Sequence, residues 1–127
     1  MYKELQETIA EMTAPGQMFN ITEVEVAGQT VKAWAMAPGS LRDIWLSTAG
    51  HADKDYLVYR DERWTYAQAH EEVARIANWL VANGIGQHDR VAIAMRNYPE
   101  WMLCYWAIAS IGAVSVGVNA WWVPEEL

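Results

Sequence analysis

At 127 residues, 53% of them hydrophobic, the chain is long enough for one domain with its own core and too apolar to be disordered. A formal charge of −7, with no run of lysine or arginine, disfavours nucleic acid and anionic membrane surfaces as partners. Eight tryptophans and six tyrosines against one phenylalanine imply large aromatic surfaces that need a core or a partner.

Residues 1–12 are polar with interspersed alanines and predict a short surface helix, stopped by Pro15-Gly16. Their acidic residues and lack of an apolar run are unlike a secretory signal, so the acceptor pattern Asn20-Ile21-Thr22 has no route to glycosylation. The single Cys104 rules out a disulfide framework and fits a reducing compartment, so the cytoplasm is the expected location. Residues 21–26 and 30–35 alternate in polarity around Gly28 and predict a hairpin. Ser40, with Asp43 three residues on, caps a predicted helix from Leu41 to about Ala49, ended by Gly50. A tighter hairpin is predicted for 56–59 and 63–65, turning at Asp61-Glu62. Thr65 and Gln68 form a capping-box pair before the longest predicted helix. On it Ala69, Val73, Ile76, Ala77 and Leu80 share a face, Glu71 and Arg75 pair outside, and Asn83-Gly84 ends the run.

The stretch from Gly84 to Val118 organises the rest. Arg90 to Met95 is continuously apolar after its first residue, as in a strand covered on both faces of a parallel sheet. Asn97 is the expected N-cap of the next helix, with Pro99 in the first turn and Glu100 at a capping-box-like spacing. Trp101 to Ile111 continues the helix, and Gly112 stands where a left-handed cap is wanted. Val114, Val116 and Val118 then fall on one face of a strand, with Ala113, Ser115 and Gly117 on the other. Strand, helix and parallel strand make a βαβ unit. A competing reading takes the uncharged run Trp101–Val123 as one membrane span, although its character changes at Gly112 and acidic residues flank both ends. After that strand, Pro124-Glu125-Glu126 has the form of a helix start, which leads to the expectation that the sequence is cut short.

No reactive constellation emerges. Gly84-Ile85-Gly86 lacks the third glycine of a dinucleotide fingerprint and precedes a strand rather than a helix. His51, His70 and His88 have no metal-like spacing, and the neighbours Glu71-Glu72 and Glu125-Glu126 do not face a common point. Cys104, in an apolar helix, reads as an inert buried thiol. Arg96-Asn97 is the one polar pair placed where α/β sheets bind ligands, and capping by Asn97 is its simpler use. By residues alone the catalytic, cofactor-binding and metal-binding sets are empty. A small interaction module using its aromatic surface is the non-enzymatic alternative.

The order of signals resembles the start of the adenylate-forming superfamily: the AMP-binding acyl-CoA synthetases, with luciferases and aryl-acid ligases as relatives. The matching segments are Trp64-Thr65-Tyr66, Gly84-Ile85-Gly86 followed by Asp89-Arg90-Val91, and Asn97-Tyr98-Pro99-Glu100-Trp101. GAVSVGVNAWW and Pro124-Glu125-Glu126-Leu127 close the match, and Asn119-Ala120-Trp121-Trp122 looks most like the fatty-acyl-CoA ligase branch. His88 departs from the pattern, in which a small residue is common. The resemblance covers roughly residues 40 to 127 and implies an α/β fold: a partial N-terminal subdomain with a parallel βαβ core, flanking hairpins and helices. Residues 1–39 would be a helix-and-hairpin extension, and 40–127 the incomplete start of the adenylation domain. It further implies a ligase that joins a carboxylic acid, in this branch a fatty acid, to CoA through an acyl-adenylate, using ATP and Mg2+. None of the phosphate-loop, magnesium or ribose motifs matches this chain. ATP, Mg2+ and CoA are therefore expected to serve the full-length enzyme and not to bind residues 1–127 alone. The remainder of the synthetase is the implied partner, with exposed apolar surface promoting association of the isolated chain.

Overall fold

The computed structural model describes residues 2–119, 121–123 and 125. The chain divides into two units, Met1–Gly39 and Ser40–Leu127. In the first, helix α1 (Tyr2–Met12) is exposed along its whole length. The chain then turns through Gly16 at φ +84°. Strands β1 (Ile21–Val26) and β2 (Gln29–Trp34) pair antiparallel, with Val24 opposite Val31 and Val26 opposite Gln29. This register leaves a two-residue turn, Ala27 at φ 51° and Gly28 at φ 77°, the pair of left-handed conformations that matches strand twist. Phe19 packs edge-on against Trp34, 5.9 Å between ring centres. No described residue of this unit is buried.

In the second unit Ser40 caps helix α2 (Leu41–Ser47), its hydroxyl accepting from the Asp43 amide at 3.1 Å. The α-helix stops at Ser47, short of the expected Ala49, and continues as a 3-10 turn over Thr48–His51. Strands β3 (Asp55–Tyr59) and β4 (Glu62–Thr65) pair antiparallel with Tyr59 opposite Glu62. The turn is therefore Arg60-Asp61, one residue earlier than expected, and Arg60 takes the left-handed conformation at φ 51°. Helix α3 (Tyr66–Ala82) carries the full Thr65/Gln68 capping box. Ala69, Val73 and Leu80 are buried, with Ile76 and Ala77 packed beside them. The ion pair on its outer side is Glu72 with Arg75, not Glu71 with Arg75; the three-residue spacing served.

Strand β5 (Arg90–Ile93), helix α4 (Pro99–Ser110) and strand β6 (Val114–Gly117) form the βαβ unit, and β5 and β6 pair parallel. Gly112 bends the chain at φ 76°, so no single rod runs from Trp101 to Val123. Among the described residues no helix is long and apolar enough to cross a membrane. The N-cap of α4 is Tyr98 rather than Asn97, and no side chain closes that end. The cause is Pro99: its ring forces the preceding residue into an extended conformation, and Tyr98 sits at φ −97°, ψ 162°. Glu100 consequently falls too early to complete a capping box.

Trp45, Ala69, Val73, Leu80, Ile93, Leu103, Ala107 and Ile108 form the core between α2, α3, α4 and the parallel pair. Trp45 stacks on both His70 (4.1 Å, 19°) and Trp106 (5.1 Å, 17°). The Trp106 indole N–H donates to the Tyr56 hydroxyl at 2.6 Å. Trp106 is thus part of the packing. The parallel pair is covered on one face only, contrary to the expectation for β5. Ile93 is buried and Val91 half-buried, while Ala92 and Ala94 are exposed. In the parallel register Ala92 pairs with Val116, and Val114 and Val116 are exposed too. The valine face points outward, and the serine–glycine face lies toward α4, where Gly117 approaches the Trp101 ring. Of the expected helix start, only Glu125 lies within the described residues.

Candidate functional site

The segments that leave the C-terminal ends of β5 and β6 meet in an open cleft of about 690 Å³, in the position where parallel α/β sheets bind ligands. After β5 the chain contributes Arg96, Asn97 and Tyr98; after β6 it contributes Val118, Asn119, Trp121 and Trp122. The β3–β4 turn adds Tyr59 and Arg60, and Trp101 on α4 closes the inner wall.

Local chemistry fixes these groups. The Tyr98 amide donates to the Arg96 carbonyl at 2.8 Å, a tight turn that precedes Pro99. The Val118 amide donates to the Ile93 carbonyl at 3.1 Å, extending the ladder past the end of β6. Asn119 then turns the chain: its side-chain oxygen accepts from the Trp121 amide at 3.0 Å and its carbonyl from the Trp122 amide at 3.1 Å. Trp121 is left 75% exposed. The Arg96 guanidinium lies 4.3 Å from the centre of the Trp121 ring. The Arg60 guanidinium lies 5.2 Å from that of Tyr59, which meets Tyr98 edge-on at 5.7 Å. Both are cation–π geometries.

Among the described residues the lining carries two arginines and no carboxylate, in a chain of net charge −7. Arg60 also borders a neighbouring cavity that contains Glu62 and Glu100. Among the described residues, neither Arg60 nor Arg96 forms an ion pair. The described lining offers aromatic faces, side-chain amides and positive charge. A smaller apolar cavity of about 380 Å³ adjoins it, walled by Leu57, Val58, Pro99 and Met102.

Of the residues singled out in the sequence, Arg96 and Asn97 stand together in this cleft. The histidines stay apart. His51 packs against Tyr66, His88 sits in a turn at φ 71°, and His70 joins the Trp45 stack. The Nε2 of His70 lies 2.9 Å from the Thr48 hydroxyl, and burial pushes its pKa below the ordinary imidazole value. Burial, with smaller contributions from Glu100 and Glu72, pushes the Cys104 thiol up, which keeps it protonated and unreactive. The described residues contain no group of three histidine, cysteine or carboxylate side chains able to hold a metal. Sequence reasoning missed Tyr59 and Arg60. Their signal was an arginine at a hairpin turn position that glycine or asparagine fills at less cost.

The fold is α/β with an open cleft at its sheet ends, and comparison with known proteins specifies the family. The AMP-binding enzyme family matches residues 44–127, and the chain belongs to it. The crotonobetaine/carnitine–CoA ligase of Salmonella typhimurium is 37% identical over 93 residues, 68% of this chain and 18% of the relative. The N-terminal subdomain of Klebsiella oxytoca NpsA, solved with anthranilyl-AMSN, superposes with a TM-score of 0.66 at 27% identity, over 68% of this chain and 23% of that one. The anthranilate–CoA ligase AuaEII, solved with anthranoyl-AMP, gives a TM-score of 0.65 at 26% identity, over 68% and 17%. The α/β fold is that of part of the N-terminal subdomain of adenylate-forming enzymes. The chain spans about a fifth of the length of the curated relatives it matches.

Proposed function

We propose that residues 40–127 are the beginning of the adenylation domain of an AMP-forming acid–CoA ligase, and residues 1–39 an extension preceding it. The observation that carries this is the family match over 44–127, joined by a 37%-identical CoA ligase. In the reaction a carboxylate oxygen attacks the α-phosphate of Mg-ATP and pyrophosphate leaves. The CoA thiolate then attacks the acyl carbon and AMP leaves. Such steps require positive charge on the transferring phosphate and a metal across its oxygens. Among the described residues the cleft has no carboxylate and no lysine, and in this reading those groups come from the rest of the ligase. The acid is a carboxylic acid of the fatty-acyl type, a reading that rests on the Asn119-Ala120-Trp121-Trp122 segment. We read the reaction as cytoplasmic, a reading supported by the single, half-buried Cys104, which suits a reducing compartment.

Purified 1–127 will release no pyrophosphate from ATP in response to any carboxylic acid, while a chain extended through a Ser/Thr/Gly-rich phosphate loop and a C-terminal lysine domain will. Release by 1–127 alone refutes the placement of the chemistry. The bare face of the parallel pair, with Val114 and Val116 45% and 39% exposed, supports the same reading, because parallel sheets are covered on both faces. The isolated chain should therefore associate, as seen by light scattering, and Val116→Lys should reduce it. A monodisperse monomer would count against an unfinished sheet.

A further inference from the structure

A second cavity, of about 320 Å³, lies away from the sheet ends, between α2, α3 and the C-terminal end of α4. Leu46, Val73, Ala77 and Ile111 give it apolar walls, and His70 and Ser110 are set among them. Hydroxyls on or beside the other helices satisfy themselves on the preceding turn. Thr8 donates to the Glu4 carbonyl, Thr13 to that of Ile9, Ser47 to that of Ile44 and Thr48 to that of Trp45. Ser110 does not. Its Oγ is buried and, among the described residues, has no hydrogen-bond partner. A buried hydroxyl in that state is destabilising, so a group that answers it gains binding energy.

His70 supplies the complement. The Thr48 hydroxyl spends its one hydrogen on the Trp45 carbonyl at 2.7 Å, so toward His70 Nε2, 2.9 Å away, its oxygen can only accept. The imidazole therefore carries its hydrogen on Nε2, and burial keeps the ring neutral at about pH 7. Nδ1 is left as an acceptor, and among the described residues nothing donates to it. The cavity thus offers an unspent donor from α4 and an unspent acceptor from α3. A neutral hydroxyl answers both, because it has one hydrogen to give and lone pairs to receive. An anion fits worse: it meets the Nδ1 lone pair and the carbonyl end of α4, whose last residue is Ser110. Arg42 also lines the cavity, but it is exposed to water and its charge opposes a cationic ligand.

We propose that this cavity binds a small, uncharged apolar molecule carrying one hydroxyl, a phenol or cyclic alcohol, whose O–H donates to His70 Nδ1 and whose oxygen accepts from Ser110 Oγ. The volume is at the lower end for ligand pockets and suits a molecule of one ring. The proposal rests neither on the ligase reading nor on the cleft at the sheet ends.

Nuclear magnetic resonance titration of the 127-residue chain tests it, with Val116→Lys present throughout to limit association, since the cavity includes no residue of that sheet face. The probes are 4-ethylphenol, 4-ethyltoluene, in which a methyl replaces the hydroxyl, and 4-ethylbenzoate, in which a carboxylate does. 4-Ethylphenol should shift the Ala77, Ser110 and Ile111 amides saturably and bind about tenfold tighter than 4-ethyltoluene, as two modest hydrogen bonds allow. 4-Ethylbenzoate should bind no better than 4-ethyltoluene. Ser110→Ala should remove most of the preference for the phenol, with a thermal midpoint unchanged or raised because an unanswered polar group is gone. Ala77→Leu should fill the cavity and weaken both neutral probes. Shifts that fail to saturate or that map to the sheet ends overturn the proposal. So do equal affinities for 4-ethylphenol and 4-ethyltoluene, tighter binding of 4-ethylbenzoate, or a Ser110→Ala variant that keeps the preference or melts earlier.

Discussion

Residues 1–39 and residues 40–127 are both rich in clear local signals, yet only the second set builds a core. The first unit has a helix and a well-formed two-residue hairpin, and none of its described residues is buried. The second places Leu103, Ala107 and Ile108 of α4 at 1%, 0% and 1% exposure. The contrast separates two sources of order. Turn chemistry and capping decide which local conformation a segment prefers, and burial of an apolar face decides whether it stays folded.

The sharpest probe of that division is truncation of a packed side chain in each unit. Leu103→Ala should cost about 2–5 kcal/mol in urea unfolding of the second unit. Val24→Ala in the hairpin should change stability by no more than about 0.5 kcal/mol, since Val24 is 37% exposed and belongs to a unit in which no described residue is buried. Equal losses would mean the hairpin is packed after all. Glycine replacement gives a smaller, finer test. Gly28 and Gly112 have nearly the same positive φ, 77° and 76°, so Gly28→Ala and Gly112→Ala each meet a left-handed penalty of about 1–2 kcal/mol. At Gly112 the new Cβ also comes within 3.1 Å of the Gln87 side chain, whereas Gly28 faces open space. The Gly112 variant should therefore lower the cooperative unfolding midpoint, and the Gly28 variant should shift only the hairpin's NMR signals.

The smallest expected effect is a pH dependence confined to the second unit. The folded-state pKa of His70 lies below its unfolded value of 6.5 because burial disfavours the imidazolium. The unfolded chain then binds the extra proton first as pH falls. The stabilisation is complete above about pH 6.5 and declines as pH drops through the depressed value. His70→Gln should flatten urea midpoints measured between pH 7 and 5, while the hairpin signals of the first unit stay indifferent. A stability that rises on acidification would reverse the sign and refute the assignment.

Much of this architecture is legible in the sequence where one residue's own chemistry decides. Ser40, Thr65 with Gln68, Gly84 and Gly112 each do the local task their type suggests. The α/β class and the βαβ unit follow from that punctuation together with the change of period at Gly112. The errors arise where two preferences compete. Asn97 is a better cap than Tyr98 by type, but Pro99 dictates the geometry of its predecessor and so moves the cap. The hairpin turn falls on Arg60-Asp61 because strand register outweighs the reluctance of arginine to adopt positive φ. The outward direction of Val114 and Val116 depends on which face of the strand α4 covers, and no pattern internal to the strand contains that. The cleft was half legible: Arg96 and Asn97 lie in the place strand order predicts, while Arg60 arrives from a turn more than thirty residues earlier.

The stacked rings around Trp45 have an optical consequence. Two indoles with centres 5.1 Å apart and planes 17° from parallel couple their excited states, so Trp45 and Trp106 should contribute a paired band to near-ultraviolet circular dichroism. With His70 stacked 4.1 Å from the same indole, an added proton on the imidazole should quench its emission. The packing that holds α2, α3 and α4 together thus carries its own spectroscopic label, one that reports core integrity and acid titration without an added dye.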